Sequence, residues 1–164
     1  MNSIAVRTFQ PSDIEAARSL LGELHEHELS LQPHMLPWGA VKEAFWTWLT
    51  SYVEKNSGFM LVAECGGKMA GFVGCWFDKT DYPAFKPQDA RFGYVSELVV
   101  SASARRQGVG AALLKAAEKI FLERGMTSMR LQAFANNKLA DDFYIGYGME
   151  PYVTVYKKHL DNAA

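Results

Sequence analysis

Nowhere in the 164 residues does an apolar run reach the length a bilayer-spanning helix needs, about 20 residues. The opening stretch MNSIAVRTFQPSD lacks a basic region followed by an apolar block, as an export signal would have. Cysteine is scarce. Cys65 and Cys75 sit in apolar strand-like runs rather than in a spaced framework, which reads as buried free thiols and not as a disulfide scaffold. Charge of one sign is missing too: 17 basic and 18 acidic residues give a formal net charge of -1, against the basic surplus of a dedicated nucleic-acid binder. Internal repeats, low-complexity tracts and linkers are also missing. The expectation is one cytoplasmic domain spanning residues 1–164, without a membrane or nucleic-acid partner.

What the chain does have is apolar substance, 49% hydrophobic and 13% aromatic residues, enough to bury a core. IAVRTFQ (Ile4 to Gln10) alternates as a half-buried strand does. A helix comes next, with Ser12 or Asp13 as its cap, Glu15 three residues after Ser12, and Ile14, Ala17, Leu20, Leu21 and Leu24 on one face. A second helix is predicted over Ala40–Val53. FMLVAEC and KMAGFVGCWF flank Gly66-Gly67, a hairpin turn signal. The polar segment from Asp78 to Asp89 reads as a loop or lid, and YVSELVVSA as a buried central strand. A helix from Val109, with Gly125 as its stop, leads to the strand SMRLQAFA, a short helix ending at Gly148, and a closing strand PYVTVYKKHL. The predicted fold is α/β, with a mixed central sheet of about six to seven strands flanked by helices in the order β-α-α-β-β-β-α-β-α-β.

The chemistry concentrates in Arg105-Arg106-Gln107-Gly108-Val109-Gly110, between a strand end and a helix start. The first turn of a helix offers N–H groups without intrahelical partners, and its dipole favours an anion there. Gly108 and Gly110 leave room for close approach, and the two arginines add charge-assisted donors. A pyrophosphate fits. The Gly-Lys-Ser/Thr ending of a P-loop and the third glycine of a dinucleotide fingerprint are both absent. Taken alone, the stretch also fits a tight turn with solvated arginines.

Arg-x-x-Gly-x-Gly after a strand ending in Leu98-Val99-Val100, and opening a helix, resembles the acetyl-CoA signature of the GNAT superfamily of N-acetyltransferases. A second segment is similar as well: Asn137 is followed by Tyr144 and then Gly148, with Met149 where the family usually has an aromatic. The element order is also that of a GNAT domain.

The resemblance implies acetyl transfer from acetyl-CoA to a primary amine by direct attack, with coenzyme A as acyl donor and no metal. The backbone of Leu98, Val99 and Val100 would hold the pantetheine arm, beside a bulge expected near Val99 or Val100. Arg105, Arg106, Gln107, Gly108, Val109 and Gly110 would cradle the pyrophosphate, with Ala111 just inside the helix. Asn137 would contact the pantetheine or cap the last helix. Tyr144 is the candidate general acid for the thiolate and Glu97 the candidate base; Gln132 stands where some members carry an acid. The expected acceptor is a small-molecule amine. A protein or peptide amine, or a non-catalytic acyl-CoA sensor, is the alternative, and the family's habits lean toward a homodimer.

Two further features are set aside. His25 and His27 are two residues apart and cannot share a helix face, so HEHE reads as a solvated helix end, with Glu26 or Glu28 facing substrate as the lesser reading. Trp38, Phe45, Trp46 and Trp48 read as core or dimer packing before acceptor lining.

Overall fold

A computed structural model describes residues 3–159. The strands β1 (Ile4–Thr8), β2 (Phe59–Cys65), β3 (Lys68–Lys79), β4 (Arg91–Val100) and β5 (Met129–Leu131) form one sheet in the order β1-β2-β3-β4-β5. The first three pairings are antiparallel and β4 with β5 is parallel, so the sheet is mixed. The helices are α1 (Ile14–Leu31), α2 (Trp38–Lys55), α3 (Val109–Glu123) and α4 (Lys138–Tyr147). Among the described residues no helix is long and apolar enough to cross a membrane.

Alternation along the strands sorts the core into two layers. Leu61, Ala63, Val73, Cys75 and Val95 face α3, whose Val109, Leu113, Leu114, Ala117 and Phe121 recur at helical spacing. Val62, Phe72, Trp76 and Val99 face Ala17, Leu20 and Leu21 of α1 and Leu49 and Val53 of α2. Each large side chain so buried contributes on the order of 1.5–3 kcal/mol. Gly93 lets α3 settle onto β4, since a Cβ there would lie 2.4 Å from the Phe121 ring. The hairpin forms as predicted: Gly66 and Gly67 both take positive φ, 60° and 75°, the backbone a two-residue turn between twisted strands requires.

Asp13 stands at the N-cap of α1, one of the two expected positions, but its side chain makes no cap bond there. The box lies two residues earlier: Asp13 accepts from Gln10 N at 2.7 Å, a short 3₁₀ turn Pro11–Asp13 precedes the helix, and Ser12 and Glu15 take no part. Asp13 is won by Arg7, whose guanidinium holds both its oxygens at 2.7 and 2.9 Å and reaches Glu64 of β2 as well. The bidentate arginine holds the Asp13 carboxyl below its usual range.

The sheet has five strands, not six to seven. Two shortfalls account for this. SMRLQAFA pairs only over Met129–Leu131, because β4 turns away beyond Val95 and leaves the rest of that run without a ladder partner. The expected closing strand stays outside the sheet over residues 151–159, with Leu160 outside the described residues. Its alternation of β-branched and aromatic residues signals strand propensity, but both its faces are open: Tyr152 is 56% exposed and Val153, on the other face, 74%. Of the two cysteines, both free, Cys75 is buried and Cys65 only half-buried.

Candidate active site

The site begins with one surplus residue. Gly74 of β3 faces Glu97, but the next residue, Cys75, faces Val95, so Ser96 bulges from β4 without an opposite partner. The bulge was expected three or four residues later, near Val99 or Val100. It changes the face of every residue after it: Val95, Leu98 and Val100 all pack on the α3 side, while Tyr94 and Val99 pack on the α1/α2 side. Glu97, two residues before Val99, shares the α1/α2 side. The pairing of β4 with β5 also ends at Val95–Leu131, immediately before the bulge. From Ser96 onward the two parallel strands part, leaving a slot.

The register says which backbone groups line it. Ser101 N donates to Ala70 O at 2.9 Å, so Ala70 and Ser101 form a hydrogen-bonded pair. Antiparallel alternation then turns the backbone of Val99 toward β3 and that of Leu98 and Val100 toward the slot. Of the three residues expected to offer backbone groups, Leu98 and Val100 are therefore the ones on the open side. Val100 O accepts from Arg105 Nε at 3.3 Å.

Beyond β4 a 3₁₀ turn Ala102–Ala104 leads to the exposed Arg105, Arg106 and Gln107. Arg106 has φ 61° and Gly108 φ 87°, left-handed conformations that crowd the loop's amide groups toward one side. For Arg106 this is a strained state; for Gly108 it explains the glycine. Gly108 caps α3 without a side-chain bond, and the first helical bond is Ala112 N to Gly108 O at 2.9 Å. The N–H groups of Val109, Gly110 and Ala111 consequently have no intrahelical acceptor. Gly110 has a different task from the one its motif suggests. A Cβ there would lie 3.0 Å from Phe143 Cζ and 3.5 Å from Val100 Cγ2, so its smallness serves packing against α4.

Asn137 is buried and caps α4, accepting from Ala140 N at 3.2 Å; His27 Nε2 lies 3.4 Å from the same oxygen. Seven residues on, Tyr144 lies half-buried between α4 and the sheet, its ring 5.4 Å from that of Phe143. Burial first, then the charges of Glu97 and Glu28, lift its phenol to about 12. Glu97 is half-buried, and burial together with the Glu28 charge raises its carboxyl to about 8, opposed by a 3.2 Å hydrogen bond from Ser96 Oγ. The structure thus brings Tyr144, Glu97 and the open edge at Leu98 and Val100 to one slot, with the arginines and the α3 start at its end.

Glu28 stands on the inner side of α1, while Glu26 is exposed. HEHE was expected to be a solvated helix end; instead His25 is buried against Trp38, ring centroids 5.4 Å apart, with Nε2 at 2.7 Å from Leu36 O. Glu28 lies two helical turns beyond Leu21 on the inward stripe, and burial raises its carboxyl against the opposing charges of His25 and His27. That seven-residue spacing was the available signal. Among the described residues no three His, Cys, Asp or Glu side chains gather as a metal site. The aromatic residues divide: Trp46 and Phe45 pack against the core, while Trp48, 41% exposed, joins Trp76, Tyr52 and Tyr94, the Trp76 and Tyr94 rings stacked at 5.0 Å.

The family model for the acetyltransferase (GNAT) family matches residues 21–149. The chain belongs to the GNAT acetyltransferase family. No curated protein matches its sequence. Solved structures match along nearly its whole length. A GCN5-related N-acetyltransferase from Ralstonia eutropha JMP134 has 23% identity and TM-score 0.75, over 96% of this chain and 99% of that one. For glucosamine-6-phosphate N-acetyltransferase from Arabidopsis thaliana the values are 18% and 0.64, over 97% and 99%. For the aminoglycoside N-acetyltransferase AAC(6')-Iy, solved with CoA, they are 16% and 0.67, over 98% and 97%. At these identities the likeness is one of fold.

A carboxyl raised to about 8 sets a pH dependence of stability. Between the ordinary glutamate value of about 4.3 and that raised value, the folded chain holds a proton that the unfolded chain has lost, so stability falls as pH rises through this window and levels off above it. Glu97→Gln cannot ionise. Its melting temperature is expected to fall less between pH 5 and pH 8 than that of the wild type; superimposable profiles would show Glu97 ionised throughout.

Proposed function

We propose that the chain transfers the acetyl group of acetyl-CoA to a primary amine of a small molecule, by direct attack in a ternary complex. The observation that carries this is the parting of β4 and β5 at Ser96, which opens backbone groups of Leu98 and Val100 beside an unbonded helix start flanked by two arginines. Those residues fit coenzyme A. Leu98 and Val100 would receive the pantetheine arm as an added strand receives its neighbour, and residues 105–111 would take the pyrophosphate through Arg105, Arg106 and the free N–H groups of Val109, Gly110 and Ala111. Val99 contributes packing rather than backbone bonds, and Gln107 holds the loop's shape through Nε2 to Ser103 O at 2.9 Å.

Acetyl-CoA supplies an activated acyl group; the chain supplies position and proton handling. Holding amine and thioester in register contributes up to ~7–11 kcal/mol in ideal geometry. Glu97 takes the proton of the acceptor amine. Tyr144, a phenol that stays protonated at every working pH, donates its O–H to the departing sulfur. Asn137 keeps α4, and Tyr144 with it, at the slot. The proposed setting is the cytoplasm, in keeping with two free cysteines. The proposed assembly is a homodimer, motivated by the apolar strand-like segment Tyr152–Tyr156 left exposed beside β5; sedimentation giving a monomer mass at micromolar concentration would remove it.

Acetyl-CoA is expected to raise the melting temperature, and Gly108→Glu to abolish that shift by adding a carboxylate and a strained backbone where an anion docks. An unchanged wild-type melting curve at saturating acetyl-CoA sinks the proposal. Across a panel of amines, thiol release identifies the acceptor; release only with peptides makes the acceptor a protein amine, and tight binding without release makes the chain a sensor. Tyr144→Phe should lower turnover roughly tenfold or more, ~1.4 kcal/mol of barrier, with acetyl-CoA binding intact. Equal turnover would strip Tyr144 of its role.

A further inference from the structure

We propose that two copies of the chain pair edge to edge, β1 against the partner's β1 in antiparallel, a seam that rests on the homodimer proposed above and locates it. β1 stands at one end of the sheet order, so only one of its sides has a neighbour. One hydrogen bond fixes which backbone groups face the open side. Phe9 N donates to Met60 O at 3.0 Å, which makes Phe9 and Met60 a hydrogen-bonded pair. The ladder from Ile4–Cys65 to Thr8–Leu61 then puts Arg7 and Ala5 in the same class. The N–H and C=O of Ile4, Val6 and Thr8 therefore point away from β2. Among the described residues one bond from outside the ladder reaches them: Thr8 O accepts from Arg7 Nη1 at 3.2 Å and keeps a second lone pair.

Edge strands are ordinarily guarded by a proline, a bulge or an outward charge. β1 has none of these. Its pairing with β2 keeps one register throughout, and Ile4–Thr8 contains no proline. Its one charge, Arg7, is engaged by Asp13 at 2.7 and 2.9 Å and by Glu64 at 2.6 Å. Beside the open edge, a cleft of about 250 Å³ runs between β1 and α3, lined by Val6, Thr8, Leu61, Ala116 and Ile120. Lys119 and Glu123 stand at its rim, 3.9 Å apart as an ion pair. An unpaired ladder beside an apolar cleft whose charges are already matched suits an apolar strand, not a charged peptide.

The strand that fits is β1 itself. A two-fold axis at Val6 sets Val6 against the partner's Val6, Ile4 against the partner's Thr8 and Ala5 against the partner's Arg7. Outward residues then meet outward residues, and each such pair exchanges two backbone bonds. Ile4, Val6 and Thr8 share the α3 side, so the partner's Ile4 lies beside Thr8 across the mouth of the cleft. No like charges fall opposite one another. The contact is also closed, since it occupies the β1 edge of both copies and ends there. The segment Tyr152–Tyr156 fits this edge less well. The Tyr152 ring already lies under the Arg130 guanidinium, 4.7 Å from Cζ; Pro151 before it has no N–H, and Lys157 and Lys158 follow.

The test is amide hydrogen exchange by NMR on the full chain, at loadings where sedimentation gives a dimer and again after dilution to monomer. The amides of Ile4, Val6 and Thr8 should be protected in the dimer and exchange freely in the monomer. Those of Arg7 and Phe9, bonded to β2, should stay protected in both. Fast exchange at Ile4, Val6 and Thr8 in a dimer overturns the seam, and that reading needs no variant. Val6→Pro removes an outward N–H that β2 does not use, a change an edge strand tolerates. It should weaken dimerisation roughly tenfold or more, since symmetry removes the bond twice, and keep the melting shift with acetyl-CoA. A Val6→Pro protein that melts cooperatively and dimerises like the wild type overturns the seam. Dissociation by Val155→Asp with Val6→Pro silent overturns it as well, and leaves a homodimer joined at the tail. A wild type that stays monomeric at every loading removes the homodimer itself, and the seam with it.

Discussion

Ser96 has no partner on β3, and both halves of the site descend from that one residue. An extra residue in a strand forces a local change of twist and exchanges the faces of the residues beyond it. In β4 this happens where the parallel neighbour also lets go, so the same defect frees backbone groups along one edge and swings a carboxylate to the opposite face. A regular β4 would have kept Glu97 on the α3 side, with Val95. The buried layers on either side hold the irregularity in place, with Val95 and Val99 anchored in different cores a few residues apart.

The electrostatics divide the slot lengthwise. Its outer end is positive, made of Arg105, Arg106 and the dipole of a 15-residue helix whose first turn has no side-chain cap. Its inner end carries Glu97, Glu28, Tyr94 and Tyr144, and burial raises all four. A fixed positive end and a half-buried acidic end thus stand at opposite ends of one slot.

Much of this was legible in the sequence where one local rule decides the outcome. Gly66-Gly67 can hardly do anything but turn, Gly148 closes α4 with φ 98° as a helix stop should, and the apolar spacing of α3 needs only a flat sheet to lie on. The arginines, Gly108, Asn137 and Tyr144 stood out because their spacing is strict. The features that escaped depend on partners far along the chain. The length of β5 is set by β4 turning aside, and the cap of α1 by an arginine from β1. His25 looked solvated until Trp38 and Phe45 covered it. The segment 151–159 has every local mark of a strand and no ladder to join.

Gly110 carries a mechanical consequence. With no Cβ, it lets the Phe143 ring come against the first turn of α3, and Tyr144 is the next residue along α4. The first turn of α3 and the part of α4 that bears Tyr144 are thus packed together without a spacer: any side chain at position 110 would have to push α4, and Tyr144 with it, away from the loop of Arg105 and Arg106.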